Sequence, residues 1–292
     1  MKIAIQLIGT FRSLKDTIKF WNMLFNTCDF DFFLCISDLY DYCSKNYESN
    51  NGWYWLQTPN KNILLDKIKL YNFVLKLDNK IKICEIVNFS NLKDTRSLNK
   101  LGYRKLIINN KRKEYEQKNN IKYDSVITSR TDMIFYAHNA NIIKKTGSLN
   151  YHWYDEKHKP KNIDNVFFEI PNLIFNEIDK TREIFKRILN EISYNKKYIV
   201  VNDSTMGKQG FSIWEGFAMS NSDTMDIYCN YNDKVNYGRN GNLWKGGNNY
   251  CGQLHLYLLK NNLDIKGQLR DYNIGHYYPR IRLTDEIIKL IK

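Results

Sequence analysis

The sequence predicts an α/β protein: a Rossmann-like, mostly parallel central sheet flanked by helices, in a single domain with a C-terminal extension. Three observations predict it. The chain opens on an apolar run, Lys2 to Ile8, followed by a turn at Gly9-Thr10-Phe11-Arg12 and then by apolar residues at helical spacing. A second apolar strand, Phe30 to Ser37, completes a β-α-β unit with parallel pairing. Further on, the first half of Tyr123 to Tyr136 has the apolar, β-branched character of a strand buried on both faces, and that run ends at Arg130 and Asp132, which a dry core does not hold unpaired.

Each element follows from local pattern. Leu14, Ile18, Trp21 and Phe25 mark the first helix, with Ser13 and Asp16 placed as a partial capping box. The loop after Ser37 carries Asp38 and Asp41, and Tyr40 to Asn62, aromatic and Asn-rich, reads as an ordered insertion. Ile63 to Leu77 is weakly helical and Lys82 to Val87 is a strand. Arg96 to Asn119 is a basic helix whose charges read as a solvated face. Beyond the Tyr, Trp, His and Lys loop of Asn150 to Asp164, Val166 to Ile170 is a short strand. Ile178, Ile184, Phe185, Ile188 and Leu189 form the apolar stripe of an amphipathic helix. Gly210 to Met219 is apolar around Glu215, and Ser222 caps a helix running to Tyr231. Tyr237 to Asn249 is a glycine-rich loop, Cys251 to Leu259 is helical, and Leu263 to Leu269 is a late strand. No internal repeat or low-complexity boundary divides residues 1–292.

Composition narrows the class. Of 292 residues, 43% are apolar and 14% aromatic, enough for a sizeable core. Lys and Arg outnumber Asp and Glu by 44 to 31, which calls for an anionic partner: a nucleotide, a nucleic acid, a phospholipid surface or an acidic glycan. The six cysteines form no CxxC pair and read as buried free thiols of a reducing compartment. No stretch reaches about 18 uninterrupted apolar residues and no cleavable leader is visible, so the expectation is a soluble, cytoplasmic protein without a transmembrane segment.

Two constellations carry chemistry. In open α/β sheets ligands collect at the carboxyl ends of the strands, so Arg130 and Asp132 form a phosphate and metal corner, with Mn²⁺ or Mg²⁺ as the hard cation a carboxylate and phosphates would share. Gly9, Thr10 and Arg12 follow the first strand, where the backbone approaches a nucleotide and Arg12 reaches its diphosphate. The chain has no GxGxxG and no P-loop, so the dinucleotide and NTPase classes lack their fingerprints.

Taken together, Gly-Thr-Phe-Arg, then Tyr-Asp-Ser-Val-Ile-Thr-Ser-Arg-Thr-Asp-Met-Ile-Phe, then Trp-Glu-Gly-Phe-Ala-Met ahead of a helix resemble GT-A-type glycosyltransferases of polysaccharide loci and large DNA viruses. The order of the three blocks carries the resemblance. It implies a GT-A-like domain over residues 1–292, with a nucleotide-sugar-binding half at 1–136 and an acceptor-side half with the tail at 137–292. It places Asp132 at the last acidic position of a DxD-like motif, with Arg130 in place of the first, and His276 as a further metal ligand. Gly9, Thr10 and Arg12 then line the nucleotide, with Arg130 and Arg280 on the diphosphate. Glu215 becomes the general base of an inverting transfer, its pKa raised by apolar neighbours, with Asp203 as second candidate. Trp153, Trp244 and Tyr250 offer faces for sugar rings.

The implied function is transfer of a sugar from a nucleotide-diphosphate donor, UDP-sugar favoured, to a glycan or protein-glycan hydroxyl. Two other classes compete. A basic nucleic-acid-binding protein or metal-dependent nuclease accounts for the charge, but the basic residues are spread along the chain instead of clustering with aromatics, which makes nucleic acid the weaker partner. A non-catalytic, lectin-like descendant of the same fold is the third.

Overall fold

The computed structural model describes residues 1–11, 13–42, 61–88, 97–137, 174–202, 214–231, 250–265 and 269–277. Its centre is a six-stranded sheet. The first strand, β1 (Lys2–Thr10), is followed by α1 (Leu14–Leu24) and β2 (Asp29–Ser37), and β1 pairs with β2 in parallel. β1 is longer than the apolar run suggests: Gly9 and Thr10 still pair with Ile36 and Ser37. A short antiparallel pair, β3 (Leu39–Tyr42) with β4 (Lys61–Leu64), leads into α2 (Lys67–Leu75) and then β5 (Ile81–Val87), which pairs in parallel with β2. The long α3 (Ser97–Asn119) carries the chain back across the sheet to β6 (Ser125–Arg130), on the other side of β1. Among the described residues, α4 (Ile178–Tyr194), β8 (Val200–Asn202), β9 (Trp214–Asn221), α5 (Ser222–Cys229) and α6 (Tyr250–Lys260) follow, and a second small sheet joins β7 (Ile134–Ala137) to β10 (Ile274–Tyr277). The strand order is β5-β2-β1-β6-β9-β8, parallel except for β9, which runs antiparallel to both neighbours.

Side chains alternate between the two faces of the sheet, so one sheet feeds two cores. Ile3, Ile5 and Leu7 of β1, with Phe32, Leu34 and Ile36 of β2, pack under α1, α2 and α4. Ala4 and Ile8, with Phe33 and Cys35, pack under α3, α5 and α6. Burial on both faces is why these strands read as continuous apolar runs rather than as alternating ones.

Several local expectations are corrected. Ser13 sits at the N-cap of α1 but makes no side-chain cap bond. The cap of α5 is Asn221, whose side chain accepts from the Thr224 amide at 3.0 Å, while the Ser222 hydroxyl accepts from Arg112. Of the strand expected at Leu263 to Leu269, residues 266–268 lie outside the described residues; of the rest, Asp264 makes an isolated bridge to Tyr198, and Leu269 opens a 3₁₀ turn that runs to Tyr272. The basic pattern of α3 is not a solvated face throughout, since Arg104, Lys105 and Arg112 are all buried. Arg112 binds Glu116, Asp226, Ser222 and Asn109, and the Lys105 ammonium lies 4.2 Å from the centre of the Tyr228 ring. The segments 150–164, 166–170 and 237–249 lie outside the described residues.

Candidate functional site

β1 leads through α1 to β2 on one side, whereas β6 is reached from the far edge and lies on the other side. The strand order therefore reverses between β1 and β6, and in open α/β sheets the crevice outside the carboxyl ends at such a point is where ligands bind. Two of the three motif blocks meet there. Ile8 is in register with Arg130, and the Thr131 amide donates to the Ile8 carbonyl at 3.0 Å. The Thr131 hydroxyl donates to the Thr10 carbonyl at 2.6 Å, and the Thr17 hydroxyl of α1 donates to the Thr131 carbonyl at 2.7 Å. Gly9 has φ 151°, and a Cβ added to it would stand 2.3 Å from the Thr131 hydroxyl oxygen. A glycine is required both by conformation and by space.

β6 ends at Arg130, so Arg130 and Asp132 do not share a strand face as the two-residue spacing suggests. The chain turns at Thr131, fastened to Thr10, and Asp132 lies in that turn. The two side chains nevertheless meet as a fork: Arg130 Nε and Nη2 each donate at 2.7 Å, one to either Asp132 carboxylate oxygen. The pair is asymmetric, with 28% of the Arg130 side chain exposed but only 4% of that of Asp132. A bidentate pair of this kind is short, directional and charge-assisted.

The third block arrives from the opposite direction. Ser129 is opposite Phe217 in the antiparallel β6–β9 pair, so the backbone of Glu215, two residues before Phe217, lies past the last paired residue of β6, at the same edge of the sheet. Asn202, the last residue of β8, is opposite Trp214 at that edge. His276 is opposite Phe135 in the β7–β10 pair, and β7 begins two residues after Asp132. Gly275, beside it, lies against the Tyr136 ring so closely that a Cβ would come within 2.4 Å of it. Arg12, Asp203, Arg280, Trp153 and Trp244 lie outside the described residues.

Sequence reasoning left one carboxylate at this edge without a role. Asp38 follows β2 directly, beside the end of β1, and its backbone is fixed by the Asp38 amide donating to Val87 and the Leu65 amide donating to the Asp38 carbonyl. Its side chain is fully buried, and the Lys67 ammonium stands 3.8 Å away. Burial pushes its pKa above the usual carboxylate value, and Lys67, the backbone, Asn88 and Arg104 offset this only in part. Its signal was visible: an acid two residues past the apolar run Phe32 to Ile36. Two open clefts lie elsewhere, one of about 380 Å³ between α3 and α5 and one of about 530 Å³ along α1 beside Arg182.

No family model matches the chain. No curated protein matches it either. Among solved structures it aligns with the inositol-1-phosphate CTP transferase from T. maritima over 99% of this chain and 94% of that one, at 8% identity and a TM-score of 0.34. A likeness at that score carries no argument, so fold and site rest on the geometry above.

That geometry offers a carboxyl-edge crevice with a glycine backbone, a half-open guanidinium and two buried carboxylates. As a metal centre the described part is incomplete. Both Asp132 oxygens accept from Arg130, and no group of three or more His, Cys, Asp or Glu side chains comes together among the described residues. A divalent ion on Asp132 would have to use the second lone pair of an oxygen that already accepts from Arg130. Among the described residues no helix is long and apolar enough to cross a membrane.

Proposed function

We propose that the chain is a nucleotide-sugar-dependent glycosyltransferase of GT-A-like type. One observation supports this most: motif blocks separated by more than a hundred residues end at one edge of the sheet, the first two at the point where strand order reverses. A crevice so placed suits a nucleotide, whose sugar-phosphate backbone can lie against Gly9 and Thr10, where no side chain stands at position 9.

In this reading the nucleotide, with UDP favoured, lies along Gly9, Thr10 and Arg12, and Arg130 faces the diphosphate with Arg280 from the tail. Glu215 takes the proton of the acceptor hydroxyl as that oxygen attacks the anomeric carbon. The bond from that carbon to the diphosphate oxygen breaks, and the nucleoside diphosphate leaves with the bonding pair. Asp203 is the second candidate for the base. Mn²⁺ or Mg²⁺ held by Asp132 and His276 would share the Asp132 carboxylate with Arg130, and no step is routed through the ion. The burial of Arg104, Lys105 and Arg112 removes cations from the surface of α3 and leaves the nucleic-acid reading with less to stand on.

Calorimetric titration with UDP, GDP and their sugars, with and without Mn²⁺, tests the proposal. Binding of one nucleoside diphosphate, together with slow hydrolysis of its sugar, is expected. Absence of binding by every nucleotide in both conditions would discard the reading.

A further inference from the structure

We infer that the outer face of α2 docks on an anionic lipid surface. The helix, Lys-Ile-Lys-Leu-Tyr-Asn-Phe-Val-Leu, buries Leu70 and Val74 against the sheet and presents Ile68 and Tyr71, three residues apart and therefore on one side, to solvent. Ile68 is 74% exposed, and Leu64 just before the helix is 58% exposed. Apolar side chains this exposed are ordinary when scattered singly; here Ile68 and Tyr71 are neighbours on the helix surface, and Leu64 precedes Ile68 by four residues.

Charge selects the occupant. Lys67, Lys69 and Lys76 surround the patch and are exposed, and α2 contains no carboxylate. Asp66 beside it accepts from the Lys69 amide at 2.9 Å as the helix cap, and the buried Asp38 stands 3.8 Å from the Lys67 ammonium. A face with branched aliphatic and tyrosyl groups at its centre and ammonium groups around it matches a bilayer of anionic lipid. There the lysines meet headgroup phosphates and carboxylates while Ile68, Leu64 and the Tyr71 ring enter the acyl boundary. A second copy of the chain would bring the same lysines face to face, and the net charge of +13 adds to that repulsion. Lys67 also pairs with Asp38 at the nucleotide crevice, so the variants that test this surface leave Lys67 in place.

Co-sedimentation of the full chain with vesicles of phosphatidylcholine alone, or of phosphatidylcholine mixed with phosphatidylserine, tests it. The chain is expected to bind the mixed vesicles, to ignore the neutral ones and to be released by salt. Lys69→Glu with Lys76→Glu should weaken binding by roughly tenfold or more. Ile68→Ser with Tyr71→Ser should weaken it at unchanged charge, and circular dichroism checks that both variants fold. Failure to bind, or binding that either double variant leaves unaltered, overturns the assignment. So does a dimer in sedimentation velocity that Ile68→Ser dissolves, which would give the face to a second copy.

Discussion

The Thr131 hydroxyl, bonded to the Thr10 carbonyl, occupies the space that a side chain on Gly9 would need. Two segments more than a hundred residues apart in sequence are thereby locked at the mouth of the crevice. Gly9→Ala is expected to cost about 2–4 kcal/mol, from the strained φ and the clash together. Thr131→Ala in the same chain should recover part of the loss, since the hydroxyl is the offending atom. Chemical denaturation of the two single variants and the double variant measures this coupling; additive losses would mean the contact is not made.

The fork between Arg130 and Asp132 predicts unequal costs. Arg130→Gln takes the forked guanidinium from a carboxylate that is 4% exposed, whereas Asp132→Asn takes the carboxylate from a guanidinium that is 28% exposed. The first should cost about 3 kcal/mol and the second about 1 kcal/mol, because water reaches the guanidinium more readily than the buried carboxylate. Thermal melts compare them, and equal losses would refute the asymmetry. On the proposed function, Asp132→Asn also lowers turnover at a stability that still supports the fold.

Asp38 sets a pH dependence. Its folded pKa lies above the usual 3.8, so the folded state holds its proton to higher pH than the unfolded chain does. The resulting contribution to stability is full below the unfolded value and is lost as pH rises through the folded one. Asp38→Asn should remove that part of the pH slope and stabilise the protein at neutral pH. Melts of wild type and variant across the acid range read it as a difference; parallel curves would contradict the burial.

Three thiols should be silent in the native state. Burial pushes Cys35 and Cys84 up to about 12 and Cys229 up to about 11, so at neutral pH almost none is thiolate. Mass spectrometry after brief alkylation should find these three unmodified in native protein and modified in denaturant. Rapid native labelling of any of them would be inconsistent with the packing around β2, β5 and α5.

Much of the fold was legible because it is written in local periodicity. β1, α1, β2, β5, α3, β6 and α4 fall where apolar runs and helical stripes indicate. What escaped was non-local. Nothing between Trp214 and Asn221 signals that β9 runs against its neighbours, and the β7–β10 pairing joins segments about 140 residues apart, beyond any window of pattern. Arg112 looked solvated because its partners Ser222 and Asp226 lie 110 and 114 residues further on. For the site, a glycine and a charged corner after two strands could be read directly. Thr131 between them looked like any strand residue, and Asp38 was noticed without a role, since a buried carboxylate is recognised only by what surrounds it.

By itself the sequence determined where most of the strands and helices lie and which apolar runs supply the core, since backbone geometry and the transfer of side chains from water act over a few residues. Only the tertiary structure decided where the strand order reverses, which charges face each other, and that Asp132 is held by Arg130. Those depend on chain closure between distant segments, where one packed arrangement wins over many that the same local pattern would allow.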